Sequence, residues 1–181
     1  MIVFFGPAGA GKSVQGQILA ARYGWRWLST GQLLRDTHDA ELLKKMSTGA
    51  LVDDDIANKV VEDALHRSKD IDHVIMDGFP RELPQAKWLL GILPQHERSI
   101  KMVVILEVPQ SEIERRLQLR GRADDTPEVI KERLHIYRDK IYPILDYFNQ
   151  EKITIAHIDG TGTVGQVHDR VVSELAACSL V

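Results

Sequence analysis

The chain has 181 residues, 44% of them hydrophobic and 27% charged, the ordinary balance of a soluble globular protein large enough for one substantial core. Its net charge of −3 excludes a global affinity for nucleic acid or anionic membrane surfaces, so any anion site must gather positive charge locally. The single cysteine, Cys178, excludes an internal disulfide framework, and no apolar stretch approaches the roughly 20 residues that span a bilayer.

Ile2-Val3-Phe4-Phe5 reads as a buried strand, too short for a signal peptide, which makes the cytoplasm the expected location. It runs into Gly6-Pro7-Ala8-Gly9-Ala10-Gly11-Lys12-Ser13, a G-x-x-x-x-G-K-S phosphate loop between a strand and a helix. Glycines there let backbone N–H groups turn inward, where they and the helix N-terminus hold phosphate oxygens. Lys12 supplies a mobile positive charge for the terminal phosphates, and Ser13 offers a hydroxyl to Mg²⁺.

Trp25 to Leu28 is a weaker strand candidate. Residues 30 to about 66 are largely helical in pattern, with Leu33, Leu34, Leu42, Leu43, Met46, Ile56, Val60, Val61 and Leu65, too much for one crossover. A small helical lobe inserted over 30–66 is the expectation. Val74-Ile75-Met76 is the next continuous apolar strand and ends in Asp77, a carboxylate that could orient Mg²⁺ through its water shell or simply form a turn. Met102 to Leu106 is the clearest strand of all.

Ser111 and Glu114 have capping-box spacing at the start of a helix that Gly121 would stop. Residues 121–127 form a polar loop, and Thr126-Pro127 reads as cap and first turn of a long helix carrying Val129, Ile130, Leu134, Tyr137 and Ile141. Ile153-Thr154-Ile155 alternates like a last strand. Strands alternating with helices predict an α/β fold with a parallel sheet. The seven histidines have no metal-ligand spacing, and Trp25, Trp27 and Trp88 lack the basic stripe of a nucleic-acid stacking surface.

Several motifs in order resemble adenylate kinase: Gly6 to Lys12; Ser29-Thr30-Gly31 with Leu33-Leu34-Arg35; Asp77-Gly78-Phe79-Pro80-Arg81 with Pro84-Gln85-Ala86. The series continues with Arg116, Arg120-Gly121, Arg122 with Asp124-Asp125, Arg133-Leu134 and Asp159-Gly160-Thr161-Gly162. The resemblance implies one P-loop kinase domain over 1–181, with a five-stranded parallel sheet flanked by helices. It makes 30–66 the lobe that binds a nucleoside monophosphate and 121–127 a very short lid without the zinc of larger relatives. The implied reaction moves the γ-phosphate of ATP to AMP, with Mg²⁺ as cofactor, in a monomer that needs neither nucleic acid nor membrane.

By the same resemblance, Gly9, Ala10, Gly11, Lys12, Ser13 and Val14 cradle ATP, while Arg116 packs on its adenine near Gly162. Arg120 closes on the donor phosphates, Arg35 and Arg81 grip the acceptor phosphate, and Arg122 and Arg133 reach the transferring group from the lid. Lys12, Arg81, Arg120, Arg122 and Arg133 are thus the catalytic set. Thr30, Gly78 and Gln85 would meet the acceptor, the threonine and glutamine being the adenine-type pair, though Thr30 also reads as a helix-start hydroxyl. Met46 and Val52 would wall the pocket or belong to the lobe core. Arg115 matches no role and reads as surface.

The reaction suits this inventory. An ionised phosphate monoester needs no general base, only fixed positive charge and alignment. The sequence departs from the family pattern at Ser13-Val14 (usually glycine-threonine), Gln32 (usually aspartate) and Glu82 (often threonine). These leave two other readings open: a pyrimidine or broad-range monophosphate kinase, and a nucleotide sensor that keeps the cradle without catalysis.

Overall fold

The computed structural model describes residues 1–122 and 124–181. Ala123, within the expected lid, lies outside the described residues. Five strands form one parallel sheet in the order β2-β3-β1-β4-β5. They are β1 (Ile2–Phe5), β2 (Arg26–Ser29), β3 (Val74–Asp77), β4 (Met102–Glu107) and β5 (Ile155–Asp159). Between and after them come α1 (Lys12–Tyr23), α2 (Thr30–Arg35), α3 (Ala40–Ser47), α4 (Asp54–His66), α5 (Leu83–Ile92), α6 (Gln110–Arg120), α7 (Pro127–Gln150) and α8 (Val164–Ala177). A 3₁₀ turn, Leu93–His96, follows α5.

Strands β1, β3 and β4 are apolar runs buried on both sides, which is why each reads as continuous rather than alternating. Val3, Phe5, Val74, Met76, Val103 and Ile105 face a core closed by α4 and α5 and by Ile141, Ile144 and Phe148 of α7. Ile2, Phe4, Ile75, Met102, Val104 and Leu106 face the other core, closed by α1, α6 and α8 and by Ile130 and Leu134 of α7. One long helix therefore seals both layers. The strand register brings Ser29 beside Asp77, Asp77 beside Phe4, and Glu107 beside Asp159, so all five strands finish along one edge.

Three boundaries differ from expectation. Trp25 is outside β2, because its N–H closes the end of α1 on the Ala20 carbonyl at 3.1 Å and the ladder begins at Arg26, which donates to His73. Ile153 is outside β5, because its N–H turns back to Phe148 O at 2.9 Å. The strand runs over 155–159 with its outer positions exposed, as befits an edge. Helix α6 starts at Gln110 with Pro109 at the cap, so Ser111 caps nothing, and Glu114 instead accepts from Gln110 at 2.7 Å. Thr126 does cap α7, ahead of Pro127, and Gly121 ends α6 in the left-handed conformation.

Candidate active site

The phosphate loop leaves β1 at the carboxyl edge of the sheet and delivers Lys12 to the first turn of α1. The loop lies close under α6: at Gly9, with φ +86°, a Cβ would come within 3.0 Å of the Leu117 side chain. Lys12 Nζ donates to its own loop, to Gly6 O at 2.7 Å and Pro7 O at 3.0 Å. Loss of hydration lowers its pKa from 10.5 to about 8. The Asp77 charge opposes that shift, and the neighbouring Arg81 and Arg120 add to it.

Ser13 donates to Asp77 Oδ2 at 2.6 Å, and Trp27 Nε1 donates to the same oxygen at 3.3 Å. Trp27 thus helps to hold the carboxylate. Its ring sits where a side chain on Gly16 would be, 2.5 Å from that glycine's ideal Cβ position. Val14 is exposed at the mouth of the loop.

Arg116 is braced on three sides. Its guanidinium donates to Glu112 Oε1 at 2.7 Å, to Gly160 O at 2.9 Å and to Ala10 O at 3.4 Å, tying α6 to the loop and to the turn after β5. Nothing in the sequence singles out Glu112, yet it holds both Arg115 and Arg116. Hydrogen bonds from Arg115 and then Arg116 lower its pKa from 4.5 to about 2. Arg115 is exposed, as expected, and sits at the rim of the cleft.

Arg120, at the end of α6, and Arg133, in α7, meet acids. Arg120 forms a two-pronged pair with Asp125 at 2.6 and 2.8 Å, and Arg133 reaches the same carboxylate at 3.1 Å while also pairing with Asp124. The Asp125 side chain is 2% exposed, enclosed by the two guanidiniums it joins. Arg122 is exposed and lines the cleft. Arg81 Nε donates to Gly78 O at 2.9 Å. Arg35 lies close to Gln32 Oε1, and Gln32 in turn donates to Asp36 at 2.7 Å. Partial enclosure, followed by the Arg122 charge, lowers the pKa of Arg35. Enclosure lowers that of Arg81 too, against the pull of Asp77 and helped by Arg133 and Arg35. Such mutual repulsion marks a place that favours an anion. Glu82, which adds a negative charge beside Arg81, is paired with Lys140 at 2.8 Å.

Thr30 and Gln85 are buried, 3% and 2% exposed. Ser29, not Thr30, caps α2, accepting from Gln32 N, so the helix-start reading of Thr30 fails; its hydroxyl points to Met76 Sδ at 4.0 Å. Gln85 Oε1 accepts from Arg81 N at 2.8 Å and its Nε2 donates to Asp54 at 2.7 Å. Asp54, Leu43, Tyr137 and Lys140 are not marked by any motif; all but Asp54 line the cavity directly.

One cleft of about 1230 Å³ collects this set. Its walls include Gly9, Ala10, Gly11, Lys12, Ser13 and Val14; Arg35, Arg81, Arg116, Arg120, Arg122 and Arg133; Thr30, Met46, Val52, Gly78 and Gln85; and Asp77 and Gly162. Every site residue expected from the sequence therefore borders the same space. Among the described residues no three His, Cys, Asp or Glu side chains gather as a metal cage. Ser13 and Asp77 nevertheless present two adjacent hard oxygen donors, a set that fits Mg²⁺ completed by water and phosphate oxygens. No helix of the described residues is long and apolar enough to cross a membrane.

A family model described as adenylate kinase matches residues 4–153. An adenylate kinase of Mycobacterium leprae is 40% identical over 182 aligned residues, covering 96% of this chain and 98% of the relative. One from Mycolicibacterium paratuberculosis is 38% identical with the same coverage. One from Thermus thermophilus is 36% identical, covering 96% of each chain. With a phosphate loop, an arginine-lined cleft and this likeness along nearly its whole length, the chain belongs to the adenylate kinase family.

Proposed function

We propose that the chain transfers the γ-phosphate of ATP to AMP, giving two ADP. One observation carries the reading: a single cleft is bordered both by the phosphate loop and by guanidiniums from five separate segments, with buried Thr30 and Gln85 in its wall. Two mutually repelling anions need such an arrangement, because only positive charge from both sides lets them meet end to end.

In this mechanism the loop amides, Lys12, Ser13 and Val14 hold the donor phosphates, while Arg116 and the Gly162 turn flank its base. Arg35 and Arg81 fix the acceptor phosphate through two-pronged guanidinium contacts, where lysine could offer only a point charge. Arg120 and Arg133 exchange their carboxylate partners for phosphoryl oxygens, and with Arg122 they spread the charge of the transferring group. The acceptor oxygen attacks already ionised, so no residue removes a proton. Ser13 and Asp77 would hold Mg²⁺ largely through water, where the ion would supply charge neutralisation for the donor phosphates. Residues 30–66 act as the acceptor lobe and 121–127 as the lid, and the enzyme works as a monomer in the cytoplasm.

ADP formation from ATP, AMP and Mg²⁺ tests this. Lys12→Met should lower the rate at least about a thousandfold, and AMP should be preferred over CMP, UMP and GMP. Thr30→Ala should narrow that preference. A wild-type chain that binds ATP yet makes no ADP would be a sensor, and equal use of all four acceptors would make it a broad-range kinase.

A further inference from the structure

We propose that Asp54 is a positioning residue that sets which purine the cleft accepts, by fixing the direction of the Gln85 amide. The inference rests on the acceptor reading of Gln85 given above and goes beyond it to a residue with no assigned role.

A glutamine amide can be turned either way about its last torsion, exchanging an acceptor for a donor. Here both neighbours forbid the exchange. The N–H of Arg81 can only donate, so it requires Oε1, at 2.8 Å. The Asp54 carboxylate can only accept, so it requires Nε2, at 2.7 Å. Gln85 is 2% exposed, which leaves no bulk water to satisfy a reversed amide, and a reversed amide would face two mismatched partners at once. Asp54 reaches it from the first turn of α4 and Arg81 from the turn after β3, so two separate elements impose one direction.

The bound amide retains one N–H and one oxygen lone pair, in fixed order. Adenine presents an amino donor at C6 beside a ring acceptor at N1. A 6-oxopurine presents an acceptor at C6 beside an N1–H donor, the reverse order. An amide held one way matches one purine class and opposes the other, whereas an amide able to turn serves both. On the AMP reading of the cleft, the class that the fixed amide serves is the 6-aminopurine monophosphate, with hypoxanthine and guanine monophosphates discriminated against.

The test is calorimetric binding of AMP and of IMP to the wild type and to Asp54→Ala, Asp54→Asn and Asp55→Ala, alongside the rate of ADP formation. Asp55 is exposed in the same first turn of α4, so its removal reproduces the loss of a helix-terminal charge without touching Gln85. Asp54→Ala is expected to weaken AMP about tenfold and shrink the AMP-to-IMP affinity ratio by a similar factor, the worth of one charge-assisted hydrogen bond. Asp54→Asn, still able to accept, should recover most of both, and Asp55→Ala should change neither. In turnover the effect should fall on KM for AMP and spare kcat and KM for ATP. An unchanged AMP-to-IMP ratio in Asp54→Ala, or equal losses in Asp55→Ala, would overturn the proposal. So would a wild type that binds neither purine. Binding with the expected ratios but without ADP formation would leave Asp54 its role and remove the kinase reading instead.

Discussion

Lys12 carries the sharpest consequence of a single residue's surroundings. Its pKa of about 8 means that the free cleft begins to lose this charge in mildly alkaline solution, well below the ordinary 10.5. Bound triphosphate favours the ammonium, so above pH 8 binding must take up a proton. The sign follows: the Lys12 contribution to ATP affinity is constant below about pH 8 and weakens above it, by up to about tenfold per pH unit, until the raised pKa of the complex is reached. The terminal phosphate of ATP has completed its ionisation by about pH 8, so above that pH it contributes no opposing slope. Titrations of ATP binding between about pH 7 and 10 should show this bend in the wild type. Lys12→Arg should show none, because guanidinium stays charged. A flat wild-type profile would mean that Lys12 meets more water than its contacts with Gly6 and Pro7 suggest.

At the scale of an element, the turn from α6 to α7 is organised by two carboxylates. Asp125 lies between Arg120 and Arg133, and Arg133 also takes Asp124. Burial pushes the Asp124 pKa up, but the hydrogen bond and charge of Arg133 outweigh it and leave the group below its ordinary 3.8. Its stabilising contribution is therefore complete above pH 3.8 and is lost as acid carries the solution down through the lower folded value. Asp125→Asn should cost about 1–2 kcal/mol, discounted from a fully buried pair because the Arg120 side chain is 31% exposed. That is a fall in Tm of about 4 °C. The deficit should shrink when ATP is saturating, since phosphate oxygens then take the carboxylate's place. A deficit unmoved by ATP would mean these arginines never leave their acids.

Much of this element is legible in sequence. Gly121, Thr126 and Pro127 are local signals with local causes, and all three stand where the chain pattern puts them. The Ser111 cap is not, because Pro109 offers its own carbonyl to Glu112 and Ile113 one turn earlier. The pairing of acids with Arg120 and Arg133 also escapes the sequence, since a motif shows which residues recur and not whom they touch.

For the molecule as a whole, the parallel sheet explains why residues far apart in sequence share one cleft. Chain reversals at the ends of β1, β2 and β3 deliver Lys12, Thr30 and Arg81 to the same edge, and the turn after β5 adds Gly162 there. Strand order is what a reader of sequence cannot obtain from apolar runs alone; only the family pattern supplies it. Asp54 stays invisible for the same reason, being one of three consecutive aspartates with nothing local to distinguish it. If the edge holds two nucleotides in line, an analogue joining two adenosines through five phosphates fills both ends at once. At a thousand times its Kd, such a ligand should stabilise the fold by about 4 kcal/mol, a rise in Tm of roughly 8–16 °C and more than ATP or AMP gives alone. Replacing Arg35 and Arg81 together by alanine should cut the analogue's shift to that of ATP while leaving ATP's own shift intact. If the analogue stabilises the wild type no more than ATP does, the two ends of the cleft do not lie on one phosphate chain, and direct transfer between them is excluded.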